Sequence, residues 1–229
     1  MSVIGQLPVI EEAIKLYDQG KYSESIRALE TASRNDDLKD DAKLWSYLGL
    51  AYLKNDEIKK ARKPSEKAVK LEPQNAVFRT NLSYVYLMNG QINKSQSEAE
   101  TSIQIDPKQT MAYYLMGIGH LWEGDPDTAE TYAEKILAND AAFPQGYLLK
   151  SDVFVELLGK RVAAGSSIKE EVDFLKKSVD VLERGLQNSS TAAGRKMLAD
   201  KLEGMKAFYS HYSKDRSMHP PFRPFRNLA

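Results

Sequence analysis

The sequence predicts an all-α chain of stacked helix pairs, and three observations carry that reading. Small, aromatic and turn residues recur with a step of 34 through the middle of the chain. Within each repeat the apolar residues return at helical spacing. Pro73 and Pro107 stand one step apart, each just past the end of a second helix, where proline cannot continue the hydrogen-bond ladder.

Gly49 serves as origin. Trp45, Leu48 and Tyr52 surround it, and Ala61, Ala68 and Pro73 follow. A shift of 34 gives Leu82, Ser83, Tyr86, Ser95, Ser102 and Pro107, and a second shift gives Met116, Gly117, His120, Ala129, Ile136 and Ala141. The turn residues Asp56, Gly90 and Gly124 keep the same step. A backward shift needs 36, placing Ala13 on Gly49 and Gly20 on Asp56, with the two extra residues in the acidic stretch 35–41. The spacing predicts helix pairs near 7–18 and 22–34, 40–54 and 57–71, 75–88 and 92–104, and 109–122 and 126–138. Each pair is amphipathic and buries its apolar face only by stacking on a neighbour.

Beyond Asp140 the pattern loosens. Residues 143–158 read as a first helix with Tyr147 and Phe154 on one stripe, followed by a long loop, Gly159 to Ser167. Ser167 and Glu170 form a capping box that opens the next helix, with Ile168, Val172, Leu175, Val179, Leu182 and Leu186 on one apolar stripe and Gly185 tolerated inside it. Asn188 to Thr191 marks a turn. A last helix near 191–213 presents Met197, Leu198, Met205, Phe208 and Tyr212, and is assigned the role of terminal cap. The chain thus divides into four helix pairs over 1–140, a divergent fifth repeat plus capping helix over 141–213, and a Pro/Arg-rich extended tail over 214–229.

Composition narrows the function classes. The 229 residues carry 32 basic and 32 acidic side chains, so no global field draws the molecule to nucleic acid or to an anionic membrane. With 42% hydrophobic and 28% charged residues the chain is an ordinary globular one. The absence of cysteine excludes disulfides, thiol nucleophiles and thiolate zinc sites. No basic leader precedes Glu11 and Glu12, and no apolar run reaches the length of about 18 residues that a membrane helix needs, so a cytoplasmic protein is expected.

The segment from Trp45 to Tyr52, followed by Ala61, Ala68 and Pro73, resembles the tetratricopeptide repeat, a helix–turn–helix unit of 34 residues. The resemblance is strong from Glu11 to Pro107, good to Asp140 and weak beyond. It implies a right-handed α-solenoid whose first helices line a concave, non-catalytic surface for protein or peptide partners. Residues one position and one turn from the packing stripe then face that surface. They are Ile10 and Ile14; Tyr47, Leu50 and Lys54; Asn81, Tyr84 and Met88; Tyr114, Leu115, Ile118 and Trp122; and Leu148, Leu149 and Asp152. Tyr84, Tyr114 and Trp122 are the hot-spot candidates. Chaperone-adaptor members of the family clamp a carboxylate with Lys, Asn and Arg; here the matching places hold Ile10, Ile14, Tyr47, Val77 and Asn81 in one frame and Ser46, Leu50, Asn81, Met111 and Leu115 in the next. Neither frame supplies a basic pair.

An apolar groove of this kind has three explanations: it takes an apolar or amphipathic partner segment; it is filled in cis, by Phe222 and Phe225 of the tail or by a neighbouring molecule; or several of its residues are core, one helical position off. A self-assembling scaffold and a regulatory or substrate-holding subunit of a separate enzyme are the alternatives in function. No chemistry competes with them. His120 stands where the repeat has an aromatic, and His211 and His219 lack metal spacing. Asp36, Asp37, Asp40 and Asp41 lack the ligand spacing of a calcium loop and read as a capped, solvated turn. No cofactor or metal is expected. The tail sequence from Pro221 to Arg226 fits a Pro-x-x-Pro-x-Arg ligand, but a linker or terminus that merely contains prolines is the favoured reading.

Overall fold

Eleven α-helices and no strand form residues 7–212, the part of the 229-residue chain that this computed structural model describes. They are α1 (Leu7–Asp18), α2 (Tyr22–Ser33), α3 (Ala42–Lys54), α4 (Ile58–Leu71), α5 (Ala76–Met88), α6 (Ile92–Ile105), α7 (Thr110–Glu123), α8 (Pro126–Asn139), α9 (Pro144–Ala163), α10 (Ile168–Asn188) and α11 (Ala192–Tyr212). The tail readings, including Phe222, Phe225, His219 and the proline motif, lie outside the described residues. Two compact units part between Ala112 and Tyr113. In the first, α1 packs on α2, α3 on α4 and α5 on α6, and each hairpin leans on the next. In the second, α8, α9, α10 and α11 pack in succession and α11 also returns to α9.

The hairpin turns repeat one backbone solution. Gly20, Asp56, Gly90 and Gly124 all take positive φ, between 64° and 79°. The next residue's N–H reaches back to the carbonyl five before it: Lys21 to Leu16, Glu57 to Tyr52, Gln91 to Tyr86 and Asp125 to His120. This is the Schellman closure, which satisfies the orphan carbonyls of a helix end. Helix starts are equally local. The Asp41, Asn75 and Asp125 carboxylate or amide oxygens accept from the backbone N–H of Leu44, Phe78 and Thr128. Asp41, rather than the residue before it, is therefore the cap of α3.

Where the two helices of a hairpin cross, small residues meet. The Ser25 hydroxyl donates to the Ala13 carbonyl at 2.8 Å, and Ser83 donates to the Ser95 carbonyl at 2.8 Å. Gly49 lies so close to Ser65 and Ala61 that a methyl group would overlap them. The buried hydroxyls thus replace water with backbone acceptors at points too narrow for larger side chains.

The fifth hairpin departs from the expected loop. Residues 159–163 continue α9, and the chain turns only at Gly165, with φ 78° and the same closure, Ser166 N–H to the Arg161 carbonyl. Gly159 does not end the helix: nothing lies near it, while Val162 packs on the core of the second unit and Lys160 and Arg161 stand in the last turn, where cations favour the helix dipole. Ser151, one repeat step after Gly117, bonds to Ser178 at 2.7 Å. The crossing pair is 27 residues apart instead of the 12 between Ser83 and Ser95, so each arm gains about two turns. Ser167 and Glu170 form the capping box of α10.

Two expectations about glycine and the cap are corrected. Gly185 is required rather than tolerated, since a Cβ there would stand 2.7 Å from Tyr147 Cγ and 3.1 Å from a Leu198 methyl. On α11 the buried stripe is Leu198, Leu202, Met205, Phe208 and Tyr212; Met197, a third of a turn away, is 45% exposed. The outer face of α11 exposes Lys196, Asp200, Glu203 and Lys206, as a capping helix must.

Candidate functional site

In the first unit the first helices of successive hairpins gather phenols on one face. The Tyr17 ring of α1 meets Tyr47 of α3 edge-on at 5.6 Å and Tyr22 of α2 at 5.5 Å. Lys54 at the end of α3 lies over the Tyr84 ring of α5, 5.6 Å from its centroid. Tyr17, Tyr47, Tyr84 and Met88 are all partly buried against the core that Leu48, Ala51 and Val85 belong to. Leu50 is half-buried, and the Asn81 amide donates to the Ser46 hydroxyl at 2.9 Å, bridging α5 and α3. Burial, and then the phenols of Tyr22, Tyr84 and Tyr47, push the Tyr17 hydroxyl up to about 12, so it remains a neutral donor throughout the physiological range.

Three expected site residues lie elsewhere. Leu115, Ile118 and Leu149 are 1%, 3% and 0% exposed, and are core. Ile10 and Ile14 are buried as well. Tyr114, Trp122 and Leu148 of the second unit are half-buried and remain at the surface. Asp152 is buried and paired with Lys201 of α11 at 2.6 Å; burial raises its carboxyl while the ammonium pulls it back. Tyr17 escaped the sequence reading, although it continues the stripe of Ile10 and Ile14 by one more step of three.

His120 stacks on Tyr132 of α8 at 5.5 Å and 15°, with Nδ1 3.6 Å from an Asp125 carboxylate oxygen, so it packs as the aromatic it replaces does. Among the described residues no group of three or more His, Asp or Glu side chains is placed to hold a metal ion, and no helix is long and apolar enough to cross a membrane.

Hairpins of 34 residues, closed by one turn and crossed at small residues, define the class of helix-hairpin repeat solenoids. Tetratricopeptide-repeat models match residues 10–76 and 65–97. Residues 10–97 thus carry tetratricopeptide repeats by sequence, and the described residues share the all-α helical-repeat fold of solved tetratricopeptide-repeat structures. No curated protein matches the chain in sequence. Among solved structures it is similar to a tetratricopeptide-repeat protein of Thermus thermophilus, with 15% identity, 88% of this chain and 99% of that one covered, and a TM-score of 0.65. It is also similar to PilF of Pseudomonas aeruginosa, at 18% identity over 91% and 90% of the two chains, TM-score 0.61. A third is YrrB, described as having an unusual peptide-binding site, at 18% identity over 76% and 84%, TM-score 0.57. At these identities the likeness is one of fold.

Proposed function

We propose that this chain is a non-catalytic protein-interaction scaffold whose first unit takes an apolar or amphipathic peptide segment of a partner across the Tyr17, Tyr47 and Tyr84 face. The observation that carries the reading is the set of half-buried Tyr17, Tyr47, Tyr84 and Met88 on one core, with the Tyr17 and Tyr47 rings in contact and the Lys54 ammonium over Tyr84. Tyrosine is suited to anchoring: it buries a large ring, keeps a hydroxyl for the peptide backbone, and loses few rotamers on binding. The second unit offers Tyr114, Trp122 and Leu148 as contacts of its own, while Leu115, Ile118 and Leu149 hold the helices that carry them. The fold shared with YrrB, a peptide-binding protein by its description, supports the reading.

A random peptide library selected against the immobilised full chain, followed by affinity measurement on the selected peptides, tests this. Replacing Tyr47 and Tyr84 by Ala, with helicity retained, should weaken binding by about 2 kcal/mol or more, roughly thirtyfold. Peptides that bind the double variant as tightly as the parent chain reject this face.

A further inference from the structure

The second helix of the second repeat, α4, differs in charge from its counterparts. It carries Lys59, Lys60, Arg62, Lys63, Lys67 and Lys70 against the single acid Glu66, a net charge of +5 in a chain whose net charge is zero. The equivalent helices α2, α6 and α8 hold one cation each against two or three acids. Some of the α4 charge has local work. Lys60 pairs with Glu57 at 2.5 Å, Lys67 lies 3.9 Å from the centre of the Trp45 ring, and Arg62 approaches Glu66 at 3.9 Å. Glu66 also accepts from the Tyr86 hydroxyl at 3.0 Å. Lys59, Lys63 and Lys70 are exposed and make no ion pair or hydrogen bond through their side chains among the described residues.

Those three lysines form one row. Steps of four and seven residues place them within about 40° of each other around the helix and along about 16 Å of its axis. The row is held against local preference. Like charges face each other at four-residue spacing in Lys59 and Lys63 and again in Lys63 and Lys67, which disfavours the helix. Pro64 in its interior lacks the N–H that would bond to the Lys60 carbonyl. Residues that break local rules without a compensating contact mark function more often than stability.

We infer that the Lys59, Lys63 and Lys70 row of α4 is a second interaction surface, one that docks an acidic helical segment of a protein partner. Charge complementarity sets the sign, and the spacing sets the shape: carboxylates at i, i+4 and i+11 of a partner helix match the row one to one. The chemistry of the row disfavours other polyanions. Lysines are point charges, and the one guanidinium, Arg62, is turned to Glu66, so no bidentate fork is presented to phosphate. Among the described residues the large exposed apolar side chains are Val9, Val77 and Met197, none of them on α4, so the row has no apolar anchor on its own helix for insertion into a lipid surface.

The test measures fluorescence anisotropy of a labelled, alanine-based helical peptide with glutamates at i, i+4, i+7 and i+11, titrated with the full chain. Phosphatidylserine-containing vesicles and a duplex oligonucleotide are measured in parallel. The peptide should bind, and binding should weaken as NaCl rises from about 50 to about 300 mM. The variant K59E/K63E/K70E should bind about tenfold or more weakly, while K169E/K176E/K196E and Y47A/Y84A bind as the parent does. If the glutamate variant loses helicity by circular dichroism, K59Q/K63Q/K70Q is read in its place. Equal affinity of parent and row variant, equal loss in the K169E/K176E/K196E control, or tighter binding of vesicles or duplex through the same lysines overturns the inference.

Discussion

Gly49 is the position at which the packing argument is sharpest. Replacing it by Ala should stabilise the helix by about 1 kcal/mol if propensity alone acted. The crossing opposes this. A Cβ at residue 49 would stand closer than 3.0 Å to Ser65 Oγ, 3.1 Å from the Ala61 carbonyl oxygen and 3.3 Å from Ser65 Cβ. The hydroxyl cannot simply swing away. It is 1% exposed and bonded to the Ala61 carbonyl at 3.0 Å, so displacing it strands a buried donor at a cost of about 1–3 kcal/mol. Overpacking the helix pair adds about 1–3 kcal/mol more. Gly49→Ala should therefore destabilise the protein by about 1–5 kcal/mol net. In a Ser65→Ala background the displaced hydroxyl is gone, the Ala61 carbonyl oxygen at 3.1 Å and the residue-65 Cβ at 3.3 Å still crowd the new methyl, and the same replacement should cost only about 0–2 kcal/mol. The coupling between the two sites is about 2 kcal/mol, well above additive error. Chemical denaturation of the four proteins measures it. Gly204→Ala is the control, because nothing lies within 4 Å of a Cβ there and propensity should act alone. A Gly49→Ala protein as stable as the Gly204→Ala one, in both backgrounds, would refute the crossing argument.

Two further outcomes follow from the buried polar groups. Tyr17 and Tyr86 are held neutral up to about 12, by burial first, then by neighbouring phenols in one case and Glu66 in the other. A raised folded-state value means that the unfolded chain releases the proton first, so stability is full below about 10 and falls as pH rises from there through about 12. Denaturation midpoints across that window should decline while the phenolate absorbance of these two residues lags, and a flat profile would contradict it. Replacing Lys201 by Met leaves the Asp152 carboxylate buried without its nearest cation, and should cost about 3–5 kcal/mol. Thermal unfolding at neutral pH and again near pH 4 reads this, the loss shrinking as Asp152 is protonated.

The local parts of the fold were legible in the sequence because the same residues do the same backbone work in each repeat. Gly20, Asp56, Gly90 and Gly124 were aligned by spacing, and all four take the left-handed turn. Ser167 and Glu170 announced the start of α10. What escaped depends on contacts distant in sequence. Gly159 read as a stop, yet a glycine ends a helix only where the chain also turns, and here Val162 draws a further turn of backbone onto the core. Asp152 read as surface because its partner, Lys201, lies 49 residues away. On the candidate face, one helical position is 100° of rotation, enough to exchange the half-buried Tyr114 for the fully buried Leu115. Composition sets which residues can line a surface; the neighbouring helix decides which of them do.

The enlarged fifth hairpin shows how such a chain can be edited. Seven residues turn a helix almost to its starting azimuth, within about 20°, so an arm that grows by two turns keeps every side chain at its base on the face it already held. Ser151 and Ser178 still meet as Ser83 and Ser95 do. Length is thus adjustable in discrete quanta at the hairpin tip, and a gene acquiring or losing such a segment changes the reach of one module without rewriting the rest.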